Sequence, residues 1–158
     1  MELVEYREQY KTDFAALNLA WVKRYFTPEQ GDYDILDNVE ELLRQGSMIY
    51  FALEEGRVLA TCMAMPLGND VWEILKLAAS GQYTGTGAGS AVFQACMDYA
   101  IGRGARKLTL ISNRRLAPAL HIYRKFGFQE VPLNKAYWGY DRADIEFEYL
   151  VKPENSSR

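Results

Sequence analysis

Three glycines on alternate positions form the stretch of the chain with the clearest chemical potential. Residues 85–89 read Gly-Thr-Gly-Ala-Gly and lie between the apolar run Val71–Ala79 and a series of apolar residues at helical spacing. A glycine-rich loop between a strand and a helix directs backbone N–H groups and the positive end of the helix dipole to one point. Such a loop can hold a phosphate or pyrophosphate, whereas the alternative is a loop that serves tight turning and close packing alone. Its position between strand and helix favours phosphate binding.

The loop matches neither of the common nucleotide motifs. A P-loop that hydrolyses a nucleoside triphosphate ends in Gly-Lys followed by Ser or Thr, but no Lys or Arg occurs between Lys76 and Arg103. A dinucleotide-binding loop needs a third glycine where this chain has Ser90 or Val92, depending on the register. The sequence excludes the first motif and disfavours the second.

The cysteines and the histidine do not form a recognisable reactive site. Cys62 and Cys96 cannot combine with His121 at any zinc-site spacing, and we expect no metal. Neither cysteine has a histidine or an acid at a spacing typical of thiol catalysis, so both are predicted to be reduced core residues. His121 is predicted to lie at the surface or in a substrate cleft rather than to act as a base.

Length and composition indicate one globular domain. With 158 residues, 49% of them hydrophobic, the chain can bury a substantial core but not a second full domain. We expect a domain over residues 1–151 and a disordered tail over residues 152–158. The net charge of −3 provides no basic field for nucleic acid or an anionic membrane. The acidic N-terminus and the lack of a run of about 18 apolar residues predict a cytoplasmic protein without a membrane segment.

Hydrophobic periodicity predicts a mixed α/β (α+β) fold in the order β-α-α-β-β-β-α-β-α-β-β. We expect a hairpin turn at Glu55-Gly56, and a second helix that is N-capped by Asp34. A shorter helix is expected to be capped by Ser112 or Asn113 and to end before Gly127. Parallel neighbours are predicted wherever a helix lies between two strands.

Two segments make the chain similar to the GNAT N-acetyltransferase superfamily. The glycine loop resembles that family's acyl-CoA loop, Gln/Arg-x-x-Gly-x-Gly/Ala. The spacing favours the register that begins at Thr84 over the one that begins at Gln82. Residues 119–128 read ALHIYRKFGF and resemble the family's Ala-hydrophobic-x-Leu-Tyr-x-Lys-x-Gly-Phe signature. The resemblance extends over nearly the whole chain. It implies a GNAT-type acyl-CoA N-acyltransferase fold, a mixed sheet of six to seven strands flanked by about four helices.

The resemblance implies that the cofactor is acetyl-CoA (coenzyme A), held by a strand end, the glycine loop and the following helix. The residues that it implies for this site are Leu77, Ala78, Ala79, Thr84, Gly85, Thr86, Gly87, Ala88, Gly89, Ser90, Asn113 and Tyr123. Thr84 stands where the family usually has Gln or Arg, so the pyrophosphate would rely on backbone amides and the helix end. Leu116 stands where many members have Asn, and Asn113 would supply that polar contact.

By resemblance, Tyr123 is the general acid and Glu73 the general base of acetyl transfer. A phenol near the sulfur can protonate the departing thiolate, and a buried carboxylate can accept an amine proton directly or through a water. The alternatives are a core aromatic for Tyr123 and a solvated or ion-paired acid for Glu73. Pairing of Glu73 with Lys76 is disfavoured, because residues three apart on a regular strand point to opposite faces.

The resemblance places the acceptor cleft at the first two helices. This region contains Trp21, Tyr25, Phe26 and Tyr33 beside a run of acidic residues, and Glu73 would face the same cleft. Such a wall suits a cationic amine with an apolar body, whereas the alternative for the acidic run is helix capping and a solvated face.

These observations predict an N-acetyltransferase that moves the acetyl group of acetyl-CoA to a primary amine by direct transfer in a ternary complex. The acceptor would be a small amine or a peptide. The alternative is a non-catalytic acyl-CoA-binding regulatory module on the same fold, which the departures at Thr84 and Leu116 would permit. A homodimer is expected by analogy with the family.

Overall fold

The structure is a computed structural model that describes residues 1–81 and 85–153. Its strands are β1 (Glu2–Glu5), β2 (Met48–Glu54), β3 (Arg57–Gly68), β4 (Val71–Ala79), β5 (Lys107–Ser112), β6 (Gln129–Val131) and β7 (Ile145–Leu150). Its α-helices are α1 (Lys11–Tyr25), α2 (Gln30–Leu36), α3 (Val39–Arg44), α4 (Ala88–Gly102) and α5 (Ala117–Lys125). Gln82, Thr84 and most of the predicted tail, residues 154–158, lie outside the described residues.

The strands form one sheet in the order β1-β2-β3-β4-β5-β7-β6. Among the strands of the described residues, only β4 and β5 pair in parallel, because α4 connects them and returns the chain to the end where β5 begins. The prediction of parallel neighbours across every intervening helix is wrong for β1 and β2. These strands pair antiparallel, because three successive helices between them let the chain re-enter the sheet from the opposite end.

The strands β4 and β5 separate after a short paired segment. Their register runs only from Val71 opposite Lys107 to Glu73 opposite Thr109, although β4 continues to Ala79. On its other edge, β4 stays paired with β3 as far as Ala79. The edge of β4 beyond Glu73 therefore faces a gap in the middle of the sheet.

A β-bulge interrupts β4 at Lys76. The register with β3 passes from Leu75 opposite Met63 to Ala78 opposite Thr61, so Lys76 and Leu77 together occupy the space of one partner residue. Lys76 has a φ of 58°, in the left-handed region. A bulge shifts the alternation of side chains along a strand. The predicted separation of Glu73 and Lys76 onto opposite faces is therefore wrong, and both line the same cleft.

Two apolar clusters cover the two faces of the sheet. One contains alternate residues of β2, Ile49, Phe51 and Leu53, together with residues of α1 and α3. The other joins the opposite face to α4 and α5, with Phe93 of α4 fully buried in it. The rings of Tyr123, Phe126 and Phe128 lie 5.4, 5.6 and 5.4 Å from that of Phe93. Cys62 and Cys96 are buried free thiols in this second cluster, as predicted.

The ends of two helices differ from their predicted positions. The predicted second helix is two short helices, α2 and α3, and Glu29 rather than Asp34 is the N-cap of α2 because it forms a reciprocal capping box with Asp32. α5 is not capped by Ser112 or Asn113. Its N-cap is Leu116, because the Asn113 side chain accepts a hydrogen bond from the Arg115 N–H and forms the turn before the helix.

Two turn predictions are confirmed by the backbone. Glu55 and Gly56 have φ values of 51° and 80°, which fits the tight hairpin turn between β2 and β3. Gly127 follows α5 with a φ of 91°, as expected for the residue after a helix. Among the helices of the described residues, none has the length and apolar character to cross a membrane.

Replacement of Phe93 tests how far α4 and α5 depend on one aromatic side chain. Phe93→Ala should lower the free energy of unfolding by about 3–5 kcal/mol, because it leaves a cavity among three rings. Leu150→Ala is the control, since Leu150 is 64% exposed, and should change stability by less than about 0.5 kcal/mol. Urea denaturation measures both, and equal losses for the two variants would contradict the assignment of Phe93 to the core.

Candidate active site

A cleft of about 250 Å³ opens where β4 and β5 separate. Its walls come from the C-terminal half of β4, the start of α4, the β5–α5 connection with α5, the end of α1, and residues 140–143. It brings together most of the predicted site residues: Trp21, Tyr25, Phe26, Glu73, Leu77, Ala78, Ala79, Gly89, Asn113 and Tyr123. Gly85, Thr86, Gly87, Ala88 and Ser90 lie outside the lining, as do the exposed Tyr33 and His121, and Thr84 lies outside the described residues.

The glycine loop has the backbone that an anionic ligand requires. Gly85 and Gly87 have φ values of 89° and 86°, and Gly87 is the N-cap of the 15-residue helix α4. Among the described residues, a Cβ at either position would meet no atom within 4 Å. The Thr86 hydroxyl accepts a hydrogen bond from the Ala88 N–H. Gly89, by contrast, packs closely on α5, since a Cβ there would lie 3.3 Å from Ile122 Cδ1.

A cation reaches this loop from α5. The Lys125 ammonium donates a hydrogen bond of 2.6 Å to the Ser90 hydroxyl in the first turn of α4. Sequence reasoning searched for a basic residue only within the loop and missed this one, although it stands in the segment that follows Tyr123. A lysine beside the N-terminus of a helix adds a full positive charge to the partial charge of the helix dipole.

The free edge of β4 is suited to an extended ligand that carries amide groups. Residues 77–79 line the cleft on the side of β4 where the ladder to β5 has ended. Backbone N–H and C=O groups at a sheet edge pair with an extended chain as another strand would. The edge of β4 and the glycine loop with Lys125 therefore offer backbone N–H and C=O groups and a positive charge to a ligand that carries amides and phosphates.

Tyr123 is both a core aromatic and a cleft residue. Its side chain packs between Phe93 and Phe147, with ring centroids 5.4 and 5.5 Å away, and the residue is 8% exposed. Burial raises the pKa of its hydroxyl, and a hydrogen bond with Ser112 opposes this effect only in part. The phenol therefore keeps its proton at neutral pH and is available as a proton donor.

Glu73 lies at the point where the two strands part. It is the last residue of β4 that is paired with β5, and its side chain is buried in the cleft wall. Burial raises the pKa of its carboxyl to about 7, although the charge of Lys76 acts in the opposite direction. A carboxylate with a pKa near neutrality can accept a proton and release it again at physiological pH.

A buried ion cluster supports the acceptor side of the cleft. The Asp32 carboxylate, which is 1% exposed, accepts hydrogen bonds from Lys76 at 2.8 Å and from both terminal nitrogens of Arg142 at 2.8 and 2.6 Å. It also accepts the Glu29 N–H, and the Glu29 carboxylate lies 3.5 Å from Arg142. Burial alone would raise the pKa of Asp32, but these donors outweigh it and hold the pKa well below its usual range.

Tyr140 covers this cluster from the side of the cleft. Its ring centroid lies 5.5 Å from the Lys76 ammonium and 4.7 Å from the Arg142 guanidinium. A Cβ at Gly31 would lie 2.7 Å from the Tyr140 ring, so only glycine leaves room for the ring against α2. Sequence reasoning missed Asp32, Lys76, Tyr140 and Arg142, since they are distant in the chain and meet only through the bulge and the return of the chain before β7.

A gap between two parallel strands, a glycine-rich loop before a helix, and the buried side chains of Tyr123 and Glu73 meet around one cleft. Residues 14–128 match the model of the Acetyltransferase (GNAT) family, and the chain belongs to this family. It is accordingly an acyl-CoA-dependent N-acyltransferase with the α/β fold of that family, and acetyl-CoA is its cofactor.

Relatives of known sequence or structure agree with this membership. A provisionally named ribosomal protein bS18-alanine N-acetyltransferase of Bacillus subtilis is 24% identical over 138 residues, which is 87% of this chain and 83% of the relative. A GNAT-family acetyltransferase from Staphylococcus aureus Mu50 shares the fold with a TM-score of 0.85 at 18% identity, over 96% of this chain and 99% of the other. The protein yncA of Salmonella typhimurium, solved with acetyl-CoA, has a TM-score of 0.76 at 13% identity over 96% and 94%.

The part of the chain that the structure describes contains no group of side chains that could bind a metal ion. No three of its His, Cys, Asp and Glu side chains are grouped so that they could hold an ion.

The raised pKa of Glu73 predicts a pH-dependent stability. The folded state keeps the Glu73 proton between the ordinary pKa of 4.5 and about 7, whereas the unfolded state releases it. Stability is therefore lost as the pH rises through this window. Relative to Glu73→Gln, the wild type should lose up to about 3 kcal/mol between pH 5 and pH 8. Thermal melts measure the difference, with the exposed Glu130→Gln as control, and a difference independent of pH would contradict the burial of an ionisable carboxyl.

The contact between Lys125 and Ser90 predicts a role in donor binding. Lys125→Gln should weaken the binding of acetyl-CoA roughly 10-fold, because it removes a charge-assisted contact to a phosphate. Isothermal calorimetry measures the Kd, and pantetheine, which lacks phosphates, should bind both proteins equally. Arg44→Gln, an exposed residue that pairs with Glu41, is the control. An unchanged Kd for acetyl-CoA would remove Lys125 from the site.

Proposed function

We propose that this protein acetylates a primary amine by direct transfer within a ternary complex, with Glu73 as the general base and Tyr123 as the general acid. The observation that carries the proposal is that one cleft is lined by Glu73 from β4 and by Tyr123 from α5. Bound acetyl-CoA supplies the thioester whose carbonyl carbon the amine attacks. No covalent acyl-enzyme is required, since neither buried cysteine lines this cleft.

The donor is held by backbone more than by side chains. The Gly85 and Gly87 N–H groups and the N-terminus of α4 bind the pyrophosphate, and Lys125 adds the cation that the loop lacks. The free edge of β4 at residues 77–79 pairs with the amides of the pantetheine arm. Thr84 stays a predicted contact of the pyrophosphate, and Asn113 a predicted contact on the opposite wall.

Glu73 prepares the nucleophile. An ammonium group has no free electron pair, so the acceptor must lose a proton before it can attack. A carboxylate with a pKa of about 7 accepts this proton more readily than a carboxylate with the ordinary pKa of 4.5. The transfer is direct or passes through one water. The positive charge of Lys76 favours the ionised form of Glu73 that this step requires.

Tyr123 completes the transfer. As the new C–N bond forms and the C–S bond breaks, the sulfur keeps the electron pair of that bond and takes the phenolic proton of Tyr123. The Tyr123 hydroxyl is protonated at the start of each turnover, as any tyrosine is near neutral pH, and burial raises its pKa further. The attacking nitrogen becomes positively charged as the C–N bond forms and then loses a second proton, which passes through water to the Tyr123 phenolate, while the proton on Glu73 returns to solvent.

The acceptor belongs to the same proposal. The name of the Bacillus subtilis relative points to the N-terminal alanine of a ribosomal protein, so a peptide N-terminus is one candidate and a small amine the other. Either acceptor would bind in the cleft beside the aromatic wall formed by Trp21, Tyr25 and Phe26.

The kinetics of two conservative variants test the proposal. Thiol release from acetyl-CoA is measured with a panel of small amines and peptides, and products are identified by mass. Tyr123→Phe and Glu73→Gln should each lower kcat by about 10²- to 10⁴-fold. In the wild type, the profile of kcat/KM against pH should rise through an apparent pKa near 7, the value of the Glu73 carboxyl, and Glu73→Gln should lack this limb.

Donor binding is the control for these variants. Acetyl-CoA and coenzyme A, but not NAD, should raise the melting temperature of all three proteins. Full activity in Tyr123→Phe would disprove its role as the acid. Binding of acetyl-CoA without thiol release for any acceptor would instead indicate a regulatory acyl-CoA-binding module.

A further inference from the structure

Arg115 reaches across the mouth of the cleft from the β5–α5 connection. Its Nη1 donates a hydrogen bond of 3.2 Å to the Tyr25 carbonyl at the end of α1, 90 residues away in the chain. Its guanidinium lies 5.2 Å from the centroid of the Phe26 ring. A guanidinium has five N–H donors, and the bond to Tyr25 uses one of them. The two contacts fix the direction of the side chain and leave donors for a second group.

The charged residues that line the cleft differ in whether a residue of opposite charge lies beside them. Glu73, Lys76, Arg115 and Arg142 are its charged lining residues. The cluster with Asp32 and Glu29 neutralises Lys76 and Arg142. Within residues 1–81 and 85–153, no carboxylate lies within ion-pair distance of Arg115. The acceptor side of the cleft therefore carries one cation that the protein itself does not neutralise.

The aromatic wall is already occupied by cations of the protein. Arg142 lies over Trp21 at 5.6 Å, Arg24 over Tyr25 at 5.3 Å and Arg115 over Phe26 at 5.2 Å. Rings that already face guanidinium groups do not form an empty cage for a substrate cation.

Most carboxylates of the acidic run beside this wall are engaged within the protein. Asp32 and Glu29 bind Arg142, Glu40 binds Lys11, and Asp34 accepts a hydrogen bond from Gln30. None of these side chains lines the cleft, nor does Asp37, so the run offers a cationic body no carboxylate inside the cleft.

We propose that the acceptor is a small amine that also bears a carboxylate, such as an amino acid with an apolar side chain, and that Arg115 binds this carboxylate. This inference rests on the proposed function. A guanidinium receives a carboxylate through two parallel hydrogen bonds, which fixes the orientation of the substrate as well as its charge. The amine is then directed toward Glu73, and the apolar part packs against Trp21 and Phe26.

The size of the cleft agrees with a small acceptor. Its volume of about 250 Å³ is below the roughly 300–1,000 Å³ of sites for drug-sized ligands. The acyl end of the donor takes part of the same space, since residues 77–79 and Gly89 belong to the lining. An amino acid presents its amine and its carboxylate within one short unit, whereas the first residue of a peptide has an uncharged amide in place of the carboxylate.

A set of matched acceptors measures how much the carboxylate contributes to kcat/KM. Phenylalanine, phenylalaninamide and phenethylamine share a benzyl group and a primary amine, but only the first has a carboxylate. The wild type should show a kcat/KM for phenylalanine roughly 10- to 100-fold above that for the amide, as expected for a charge-assisted pair of hydrogen bonds. An alanyl peptide amide is the fourth acceptor and represents a peptide N-terminus.

Neighbouring arginines provide the matched variants. Arg115→Gln should abolish the preference for phenylalanine over phenylalaninamide, mainly through a higher KM for phenylalanine, whereas the ratio of kcat/KM between phenylalaninamide and phenethylamine should stay as in the wild type. Arg114→Gln is the control, because Arg114 is exposed and pairs with Glu130 at 2.6 Å outside the cleft lining. Equal rates for the acid and the amide would overturn the inference, as would an Arg115→Gln variant that keeps the preference.

The two proposals fail in different ways. Efficient acetylation of the peptide amide with no advantage for phenylalanine would leave the acetyltransferase proposal intact and identify a peptide as the acceptor class. If no acceptor releases thiol although acetyl-CoA binds, the proposed function fails. N-acetylphenylalanine then tests the anion site by calorimetry. Binding that Arg115→Gln weakens roughly 10-fold or more would support the site, and no binding would overturn it.

Discussion

The separation of β4 from β5 after Glu73 is the constraint on which the rest of the structure depends. Two parallel strands that stayed paired along their whole length would leave no free edge on β4 beyond Glu73 and no cleft for Glu73 and Tyr123 to line. The sheet remains one unit because β3 holds β4 on one side and β7 holds β5 on the other. α4 packs against β2, β3 and β4 and thereby sets its N-terminus, and with it the glycine loop, at one end of the gap.

The buried ion cluster gives the acceptor side of the cleft a fixed arrangement. Replacing a buried ion pair by apolar residues is often neutral or stabilising, so the cluster of Asp32, Lys76 and Arg142 is a poor source of stability in itself. Its main effect is to fix the relative positions of three segments of the chain. It ties α2, the bulge of β4 and the segment before β7 to one carboxylate, and it places the charge of Lys76 beside Glu73. Removing any one partner would leave the others charged and buried.

The sequence predicted the parts of the molecule that depend on local signals. Val71–Ala79, the turn at Glu55 and Gly56, and Gly127 after α5 follow from apolar runs and from glycine at positive φ, and all three are confirmed. The family resemblance supplied Glu73 and Tyr123, which periodicity alone would have assigned to the core. The bulge at Lys76 carries no local signal, because a lysine in the left-handed region is held there by tertiary contacts. Arg115 and Lys125 could not be assigned for a similar reason, since their partners lie 90 and 35 residues away.

Gly31 has a consequence for the dynamics of the acceptor wall. Glycine lowers helix propensity by about 1 kcal/mol relative to alanine, and α2 has only seven residues, too few to be stable alone. Its persistence therefore depends on Asp32 and on the Tyr140 ring that rests on Gly31. Segments of this kind open locally at a lower free energy than central strands. Amide hydrogens of α2 should exchange with solvent sooner than those of β3, and each local opening would release Lys76 and Arg142 from Asp32.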